Sequence, residues 1–556
     1  MQKNWWKEEI VYQIYPKSFN DTNNDGIGDL RGIIQKLDYL KELGITSIWI
    51  CPIYKSPMVD NGYDISDYLD IAPEYGTMAD LKELIDKAEK LNIRIILDLV
   101  VNHTSDEHVW FQKALKDPNS KYREYYIFKE ATEEPNNWRS VFGGSVWEKL
   151  PNEEVYYYHT FDKKQPDLNW ENPELRQEIY KMIRKWLDFG IAGFRVDAIT
   201  FIKKDLTFAN GVPDGADGLV KCTTASRNYP GIERFLNELK RETFEPYNAV
   251  TIAEAAGVEY DELEIYAGNN GFFSMIFDFK YADLDVASGS EWFNTIDWTL
   301  EDLYQKIEKS QNELQKSSWG APFIENHDQQ RATTKYLQEH QLNKEAVKSL
   351  AIMYFFLRGT AFIYQGQEIG MINFNRDSIT QFNDLSSIDQ YFRGIQEGFD
   401  EEFMLDVLNY RSRDNARTPM HWNDKKNAGF SEVEPWLEIN QAYSEINVEN
   451  QLKDPDSVLN FYKNMIAFKK GKYSETLNFG DIEFIERKIE GVFIYRRMMN
   501  NESLLIMVNL TDETKELRTE NSIKEVLFGN DSKIEIEGSN VILAPFAAKV
   551  MSEEIK

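Results

Sequence analysis

Cysteine is almost missing from this chain: two in 556 residues, Cys51 and Cys222. That excludes a disulfide framework, the usual staple of secreted proteins, and suits a reducing compartment. Histidine is nearly as scarce, at six, and no His-x-x-x-His pair occurs, so a zinc centre is not expected. Basic residues are in deficit. Lys and Arg number 63 against 93 Asp and Glu, a formal charge of −30, which argues against nucleic acid or an anionic membrane as a partner. No apolar run approaches transmembrane length, and Met1-Gln-Lys-Asn-Trp-Trp-Lys-Glu-Glu has no apolar core of a secretion signal. The expectation is a soluble, cytoplasmic, monomeric protein. Internal repeats and low-complexity segments are absent too.

What is present is length, aromatics and alternation. A chain of 556 residues exceeds what one hydrophobic core serves, so two or three domains are expected. Its 13 Trp, 29 Tyr and 33 Phe suit cores and also the apolar faces of sugars. Strand-like runs fall near 10–15, 46–51, 93–98, 191–196, 249–253, 272–277, 321–325 and 360–364. Helical periodicity lies between them: Leu30, Ile34, Leu37, Leu40 and Leu43 before Gly44; Leu81, Leu84, Ile85 and Ala88; Ile179, Met182, Ile183 and Trp186 before Gly190. Eight strands alternating with helices predict an α/β fold, a closed (β/α)8 barrel. A doubly wound open sheet is the alternative, but no Gly-x-Gly-x-x-Gly follows the first strand. The expected barrel covers 1–103 and 171–479. An inserted domain is expected at 104–170, where a long polar and aromatic stretch is too large for a simple connection. A second excursion occupies 373–425, and period-two strands over 480–556 predict an all-β sandwich.

Three carboxylates sit just past three of the strand-like runs: Asp197 after Gly193-Phe-Arg-Val, Glu254 after Ala249-Val-Thr-Ile-Ala, and Asp328 after Pro322-Phe-Ile-Glu-Asn-His. An apolar run ending in an ionisable group delivers that charge to the sheet's edge, and parallel barrels carry their chemistry at the carboxyl ends of their strands. Carboxylates gathered there suit glycosidic cleavage, which needs one ionised and one protonated group flanking the same acetal.

These segments, with Asp98-Leu-Val-Val-Asn-His103, Asn326-His-Asp328 and Gln165-Pro-Asp-Leu-Asn169, resemble those of the α-amylase superfamily of glycoside hydrolases, in particular its oligo-1,6-glucosidase and α-glucosidase group. The resemblance runs from Trp5 into the C-terminal domain. It implies Asp197 as nucleophile, kept ionised by Arg195 two residues back on the same strand face, and Glu254 as general acid and base, which needs a raised pKa. It implies Asp328 as the third carboxylate, binding sugar hydroxyls, with His103 and His327 as hydroxyl partners. Asp60 and Tyr63 resemble residues that grip the non-reducing glucose, Tyr63 by stacking and Asp60 by pairing with Arg413 to close the pocket's end. Phe142 and Phe161 are candidate walls of the aglycone side. The substrate is then a small oligosaccharide, cleaved from its end. Sucrose, maltose and trehalose-6-phosphate hydrolysis are alternatives within the class, and the non-catalytic transporter heavy chains one outside it.

Asp21-Thr-Asn-Asn-Asp-Gly-Ile-Gly-Asp29 places oxygen donors at Asp21, Asn23, Asp25 and Asp29 around a Gly turn, the pattern of a calcium loop lacking the closing Glu of an EF-hand. In the related glucosidases it holds a structural Ca2+ or Mg2+, with the Ile27 carbonyl as a further ligand; no organic cofactor is expected. Three positions depart from the family. Ala253, not Gly, precedes the acid. Gln367 stands where Glu is usual, which bears on the aglycone subsites. Ala198 follows the nucleophile, where Val accompanies α-1,6 and Thr α-1,4 preference, so linkage choice is open.

Overall fold

The computed structural model describes residues 4–287, 290–485 and 489–554. Seven parallel strands form its central sheet: β1 (Ile10–Ile14), β2 (Ser47–Ile50), β3 (Arg94–Val100), β4 (Gly193–Asp197), β5 (Val250–Ala253), β6 (Met275–Ile276) and β7 (Ala361–Tyr364). They lie in the order β6-β5-β4-β3-β2-β1-β7. Almost every residue in them is buried, because helices cover the outside and side chains fill the inside; that is why they read as unbroken apolar runs.

The eighth stave is the expected run at 321–325, which forms no regular ladder. Its bonds nevertheless close the barrel. Ile276 N–H donates to Trp319 O (3.2 Å) and Ala321 N–H to Ile276 O (3.0 Å), while Thr360 N–H reaches Gly320 O (3.1 Å) and Phe362 N–H reaches Pro322 O (3.0 Å). Pro322 has no N–H to give, so a continuous ladder is impossible there.

The helices follow their sequence signals, with one correction. The run expected from Leu30 to Leu43 is two helices, α1 (Leu30–Gln35) and α2 (Leu37–Leu43), because the chain tightens at Lys36, whose N–H bonds Ile33 O. Gly44 then takes a left-handed cap at φ +101°, a conformation that favours glycine. Helix α3 (Met78–Lys90) opens on a reciprocal capping box between Thr77 and Asp80. Helix α4 (Pro173–Phe189) starts from the Asn172 side chain with proline in its first turn and stops at Gly190, φ +114°.

Between β3 and α4 the chain builds a three-stranded antiparallel sheet from Phe128–Glu130, Val155–Tyr158 and Trp147–Lys149. Trp138, Val146, Trp147 and Tyr158 form its separate core. Trp138–Arg139 pairs with Val220–Lys221 from the loop after β4, and the buried Arg139 guanidinium is held there by Asp214 and Asp217. After β7, helix α5 (Leu385–Glu397) and the following helix (Glu401–Arg411) enclose Phe382, Tyr391, Met404 and Leu408. From Asp481 onward come a five-stranded and a three-stranded antiparallel sheet. Val492, Ile494, Leu505 and Met507 of the first pack on Leu517, Val541 and Leu543 of the second. Among the described residues no helix is long and apolar enough to cross a membrane.

Close strand approach makes Gly193, the first residue of β4, a sharp test of barrel packing. A Cβ there would lie 1.9 Å from the Val250 carbonyl oxygen of β5. Gly193→Ala is expected to destabilise the fold by about 1–3 kcal/mol, the usual cost of overpacking, read as a lower melting temperature; an unchanged melt would show that β4 and β5 can part there.

Candidate active site

Alternation along β4 turns Arg195 and Asp197 into the barrel, and register sets Arg195 beside Asp98 of β3. The guanidinium is buried and serves three carboxylates at once. Nη1 donates to Asp98 Oδ1 (2.9 Å) and Asp197 Oδ1 (2.6 Å), and Nη2 meets Glu254 Oε2 (2.8 Å). Glu254 stands directly past β5, and its Oε2 also accepts the Ala198 N–H (2.9 Å). To aim that N–H, Ala198 adopts φ +42°, ψ +33°, a left-handed conformation that costs a non-glycine residue about 1–3 kcal/mol. A β-branched residue would be worse placed there.

Asp328 closes the opposite side. Arg417 Nη2 (2.9 Å) and Arg413 Nη1 (3.2 Å) both reach its Oδ1, and His327 Nε2 lies 3.1 Å from Oδ2. Arg413 is shared more tightly with Asp384, the N-cap of α5, through Nε at 2.8 Å. Its expected partner Asp60 is the loosest of the three, at 3.5 Å, because Asp384 occupies the guanidinium's better-aligned edge. Gln165 Nε2 instead donates to Asp60 Oδ2 (3.0 Å), and sits 3.2 Å from His103 Nε2.

Asp60, Tyr63, His103, Phe142, Phe161, Asp197, Ala198, Glu254, Asp328 and Arg413 all line one cavity of about 350 Å3. So ten of the twelve expected substrate and catalytic residues converge on one opening. Arg195 lies beneath it. His327 does not face it: the ring is fully buried behind Tyr63, stacked at 5.6 Å. Gln13 Nε2 donates to His327 Nδ1 (2.8 Å), which leaves Nε2 carrying the proton toward Tyr63 Oη (2.6 Å) and Asp328. The structure therefore corrects its expected role, from touching sugar to aligning the two side chains in front of it. Gln367 is corrected as well. It is buried against Tyr354 Oη (2.7 Å) and Tyr462 Oη (3.0 Å), away from the cavity.

Charge in the cavity is crowded. Burial pushes the Asp197 carboxyl well above the usual carboxylate range; Arg195 opposes without outweighing it, and Glu254, Asp98 and Asp328 add repulsion, which corrects the expectation that Arg195 by itself keeps this group ionised. Asp98 is pushed up to about 6 by burial, again against Arg195. Asp98 and Asp197 share the Arg195 cation, and the like charge around them adds to burial in opposing ionisation of both. Burial raises Asp328 too, but His327, Arg413 and Arg417 together outweigh it and keep its carboxyl below the usual range. Burial drops His103 to about 4 and His327 to about 3, so both rings are neutral at physiological pH.

The family follows from comparison. The α-amylase catalytic-domain model matches residues 13–478, most of the chain. This chain belongs to the α-amylase family of glycoside hydrolases. It is 42% identical to the oligo-1,6-glucosidase of Parageobacillus thermoglucosidasius over 559 residues, covering 99% of each chain. It is 38% identical to the trehalose-6-phosphate hydrolase of Bacillus subtilis, covering 99% of this chain and 98% of that one. The crystal structure of isomaltulose synthase from Klebsiella superposes over all of both chains with TM-score 0.94 at 38% identity.

Sequence reasoning missed Asp384, Phe201, Thr223, Arg227, Phe279 and Asp283, of which the last five line the cavity of this α-amylase-family enzyme. They come from loops after β4, β6 and β7, where no periodicity marks a residue as facing inward. Asp98 stood inside a motif already noted and Arg417 four residues past Arg413, but only the β3–β4 register and the fold of 373–425 reveal their partners. The expected metal loop does not gather its acids. Both Asp21 oxygens accept loop N–H groups, Asp25 accepts from Ile27 N–H, and Asp29 caps α1 through Gly32 N–H. Among the described residues, the group of acidic side chains with ligand atoms within 4.8 Å of one another is elsewhere, at Glu345, Asp456 and Asp531.

Burial pushes the Asp60 carboxyl up to about 7, opposed by Arg413, Arg417 and the Gln165 donor. A raised acid costs the folded state as pH climbs from the unfolded pKa through the folded one, and the cost is full above about 7. Asp60→Asn is therefore expected to match the wild type in melting temperature near pH 4 and to gain on it steadily towards pH 8. A gap independent of pH would show that Asp60 is ionised throughout.

Proposed function

We propose that this enzyme is a retaining, exo-acting α-glucosidase that releases glucose from short α-glucosides, with α-1,6-linked isomaltose-type substrates favoured. The observation that carries the reading is the shared Arg195 guanidinium, with Asp197 on one nitrogen and Glu254 on the other. Two carboxyls gripped by one such group suit the ~5–5.5 Å spacing of retaining enzymes better than the ~6.5–9.5 Å that leaves room for an attacking water. Asp197 in its ionised form attacks the anomeric carbon as the glycosidic bond breaks, forming a covalent glycosyl-enzyme. Glu254, as general acid, gives a proton to the leaving oxygen. Oε2 is engaged by Arg195 and the Ala198 N–H, which leaves Oε1 for that transfer. Glu254 then takes a proton from water as the water displaces Asp197 and regenerates both groups. Asp328, held ionised by its two arginines and His327, is placed to bind sugar hydroxyls.

Asp60 and Arg413, the latter backed by the buried Asp384, wall one end of the cavity, which supports removal of a terminal glucosyl unit. The relatives named oligo-1,6-glucosidase support the linkage. Ala198 adds neither the bulk of Val nor the hydroxyl of Thr, so discrimination against α-1,4 is expected to be modest. Trehalose-6-phosphate hydrolysis is the competing reading. The lining holds two arginines, Arg227 and Arg413, and Arg413 is already matched by Asp384 and Asp328, a poor setting for a phosphate dianion. The division into barrel (1–103, 171–479), inserted domain (104–170) and C-terminal domain (480–556), a monomeric state and a cytoplasmic location complete the proposal. Steady-state kcat/KM on isomaltose, maltose, sucrose and trehalose-6-phosphate tests it: isomaltose should lead, and a lead of another substrate by tenfold or more would replace the reading.

Glu254→Gln should lose far more activity on isomaltose than on an aryl α-glucoside whose leaving group needs no proton, and equal losses would remove Glu254 as the acid. Asp197→Asn should lose several orders of magnitude in kcat on both substrates.

For the loop at Asp21–Asp29 we propose a structural Ca2+ or Mg2+. Its hard oxygen donors fit such an ion in type, although Asp21, Asp25 and Asp29 would have to turn from their N–H partners to converge. Chelation should lower the melting temperature and added Ca2+ restore it, since an ion bound by the folded state alone stabilises by mass action. A chelator-insensitive melt with no metal by elemental analysis would refute the site.

A further inference from the structure

The proposed chemistry gives no role to two charged residues of the cavity lining, Asp283 and Arg227. Arg227 lines the same cavity as Asp197, Glu254 and Asp328, yet among the described residues no carboxylate lies within ion-pair distance of its guanidinium. The carboxylate that acts on it through space, Glu259, is paired with Lys280 at 3.1 Å. A half-buried guanidinium without a protein partner has donors to offer a ligand.

Its seat is built. The side chain lies across Gly257, three residues past Glu254, where a Cβ would meet Arg227 Nε at 2.7 Å and Cδ and Cγ at 3.1 Å. Gly257 is left-handed at φ +80°, so glycine suits both the turn and the close approach. The backbone that presents Arg227 is pinned next door. Asn228, left-handed at φ +49°, donates its N–H to Thr200 O (2.8 Å). Its side-chain amide donates to both Glu262 oxygens (3.0 and 2.9 Å), and its carbonyl accepts from Tyr266 Oη (2.6 Å). An anchor of this kind fixes the guanidinium in the lining it shares with Glu254, against the turn three residues past that acid, while Asp60 and Arg413 belong to the end proposed for the glucosyl unit. Asp283 and Gln329, bonded to each other at 3.3 Å, stand in the same lining.

We infer that Arg227 is a specificity-determining residue of the aglycone subsite, donating hydrogen bonds to hydroxyls of a neutral sugar that either leaves as product or enters as acceptor. Neutral hydroxyls fit better than an anionic substituent, because Glu254, Asp283 and Asp328 share the lining with this one unmatched cation. An aglycone site is also an acceptor site, since transfer of the glucosyl group to a sugar hydroxyl is the reverse of cleavage at the same atoms. This inference rests on the α-glucosidase reading above.

The test compares isomaltose with α-glucosyl fluoride, which carries no aglycone sugar, in Arg227→Ala and Arg227→Lys. Expected is a loss in kcat/KM on isomaltose, mostly through KM, at least about tenfold larger than the loss on the fluoride, in the range of one lost substrate contact. The ratio of transfer to hydrolysis at high isomaltose should fall in parallel, and Arg227→Lys should restore part of both. Equal losses on the two substrates, with a lowered melting temperature, would make Arg227 a purely structural residue and overturn the inference. No loss on either would overturn it as well. A wild-type preference for trehalose-6-phosphate over isomaltose that Arg227→Ala abolishes would assign the guanidinium to an anion instead. Failure of the wild type to cleave the fluoride at all would refute the α-glucosidase reading itself, a separate result.

Discussion

One buried guanidinium, that of Arg195, organises this molecule. It sits inside the barrel against the faces of Trp49 and Tyr63 and holds Asp98, Asp197 and Glu254 from three adjacent strands. Burying an ion is costly, and burying Arg195, Asp98 and Asp197 together is tolerable only when each is matched and hydrogen-bonded. Withdrawal of the arginine would strand three carboxylates in low dielectric, a loss of about 3–5 kcal/mol for a broken buried pair. The same arrangement sets the chemistry: one cation holds Asp197 and Glu254 side by side, the pair of carboxyls that cleavage of an acetal requires.

The second constraint is spatial. Every strand of the barrel ends at the same rim, and the long connections after β3, β4 and β7 fold over it. The connection after β3 brings Phe142, Phe161 and Gln165, that after β4 brings Arg227, and that after β7 brings Asp384, Arg413 and Arg417. These connections carry their own small cores, such as Trp138 with Tyr158 and Met404 with Leu408. They are thus rigid enough to hold a guanidinium or an aromatic wall in place, as a site built from loops needs. Arg139 stitches two of them together through Asp214 and Asp217.

Much of this was legible in the chain. Apolar runs marked the barrel strands and the Gly44 and Gly190 stops, because burial on both faces demands continuous apolar sequence and a left-handed cap favours glycine. The closing stave was legible as a run but not as an irregular strand, although Pro322 was the clue. The acids at strand ends were legible because an abrupt switch from apolar to ionisable is itself a signal. Loop residues gave none: Asp384 and Arg227 sit in polar sequence where any residue could face solvent.

The sequence by itself determined the alternation of strand and helix, the positions of Asp197, Glu254 and Asp328, and the family, since these depend on local periodicity and on short motifs. The tertiary structure alone decided who pairs with whom. Arg195 binds three acids and not one, Arg413 prefers Asp384 to Asp60, His327 backs the pocket and does not line it, and Gln367 lies away from it. Pairing depends on distances between segments hundreds of residues apart, and a partner's distance is a property of the folded chain that no local pattern encodes.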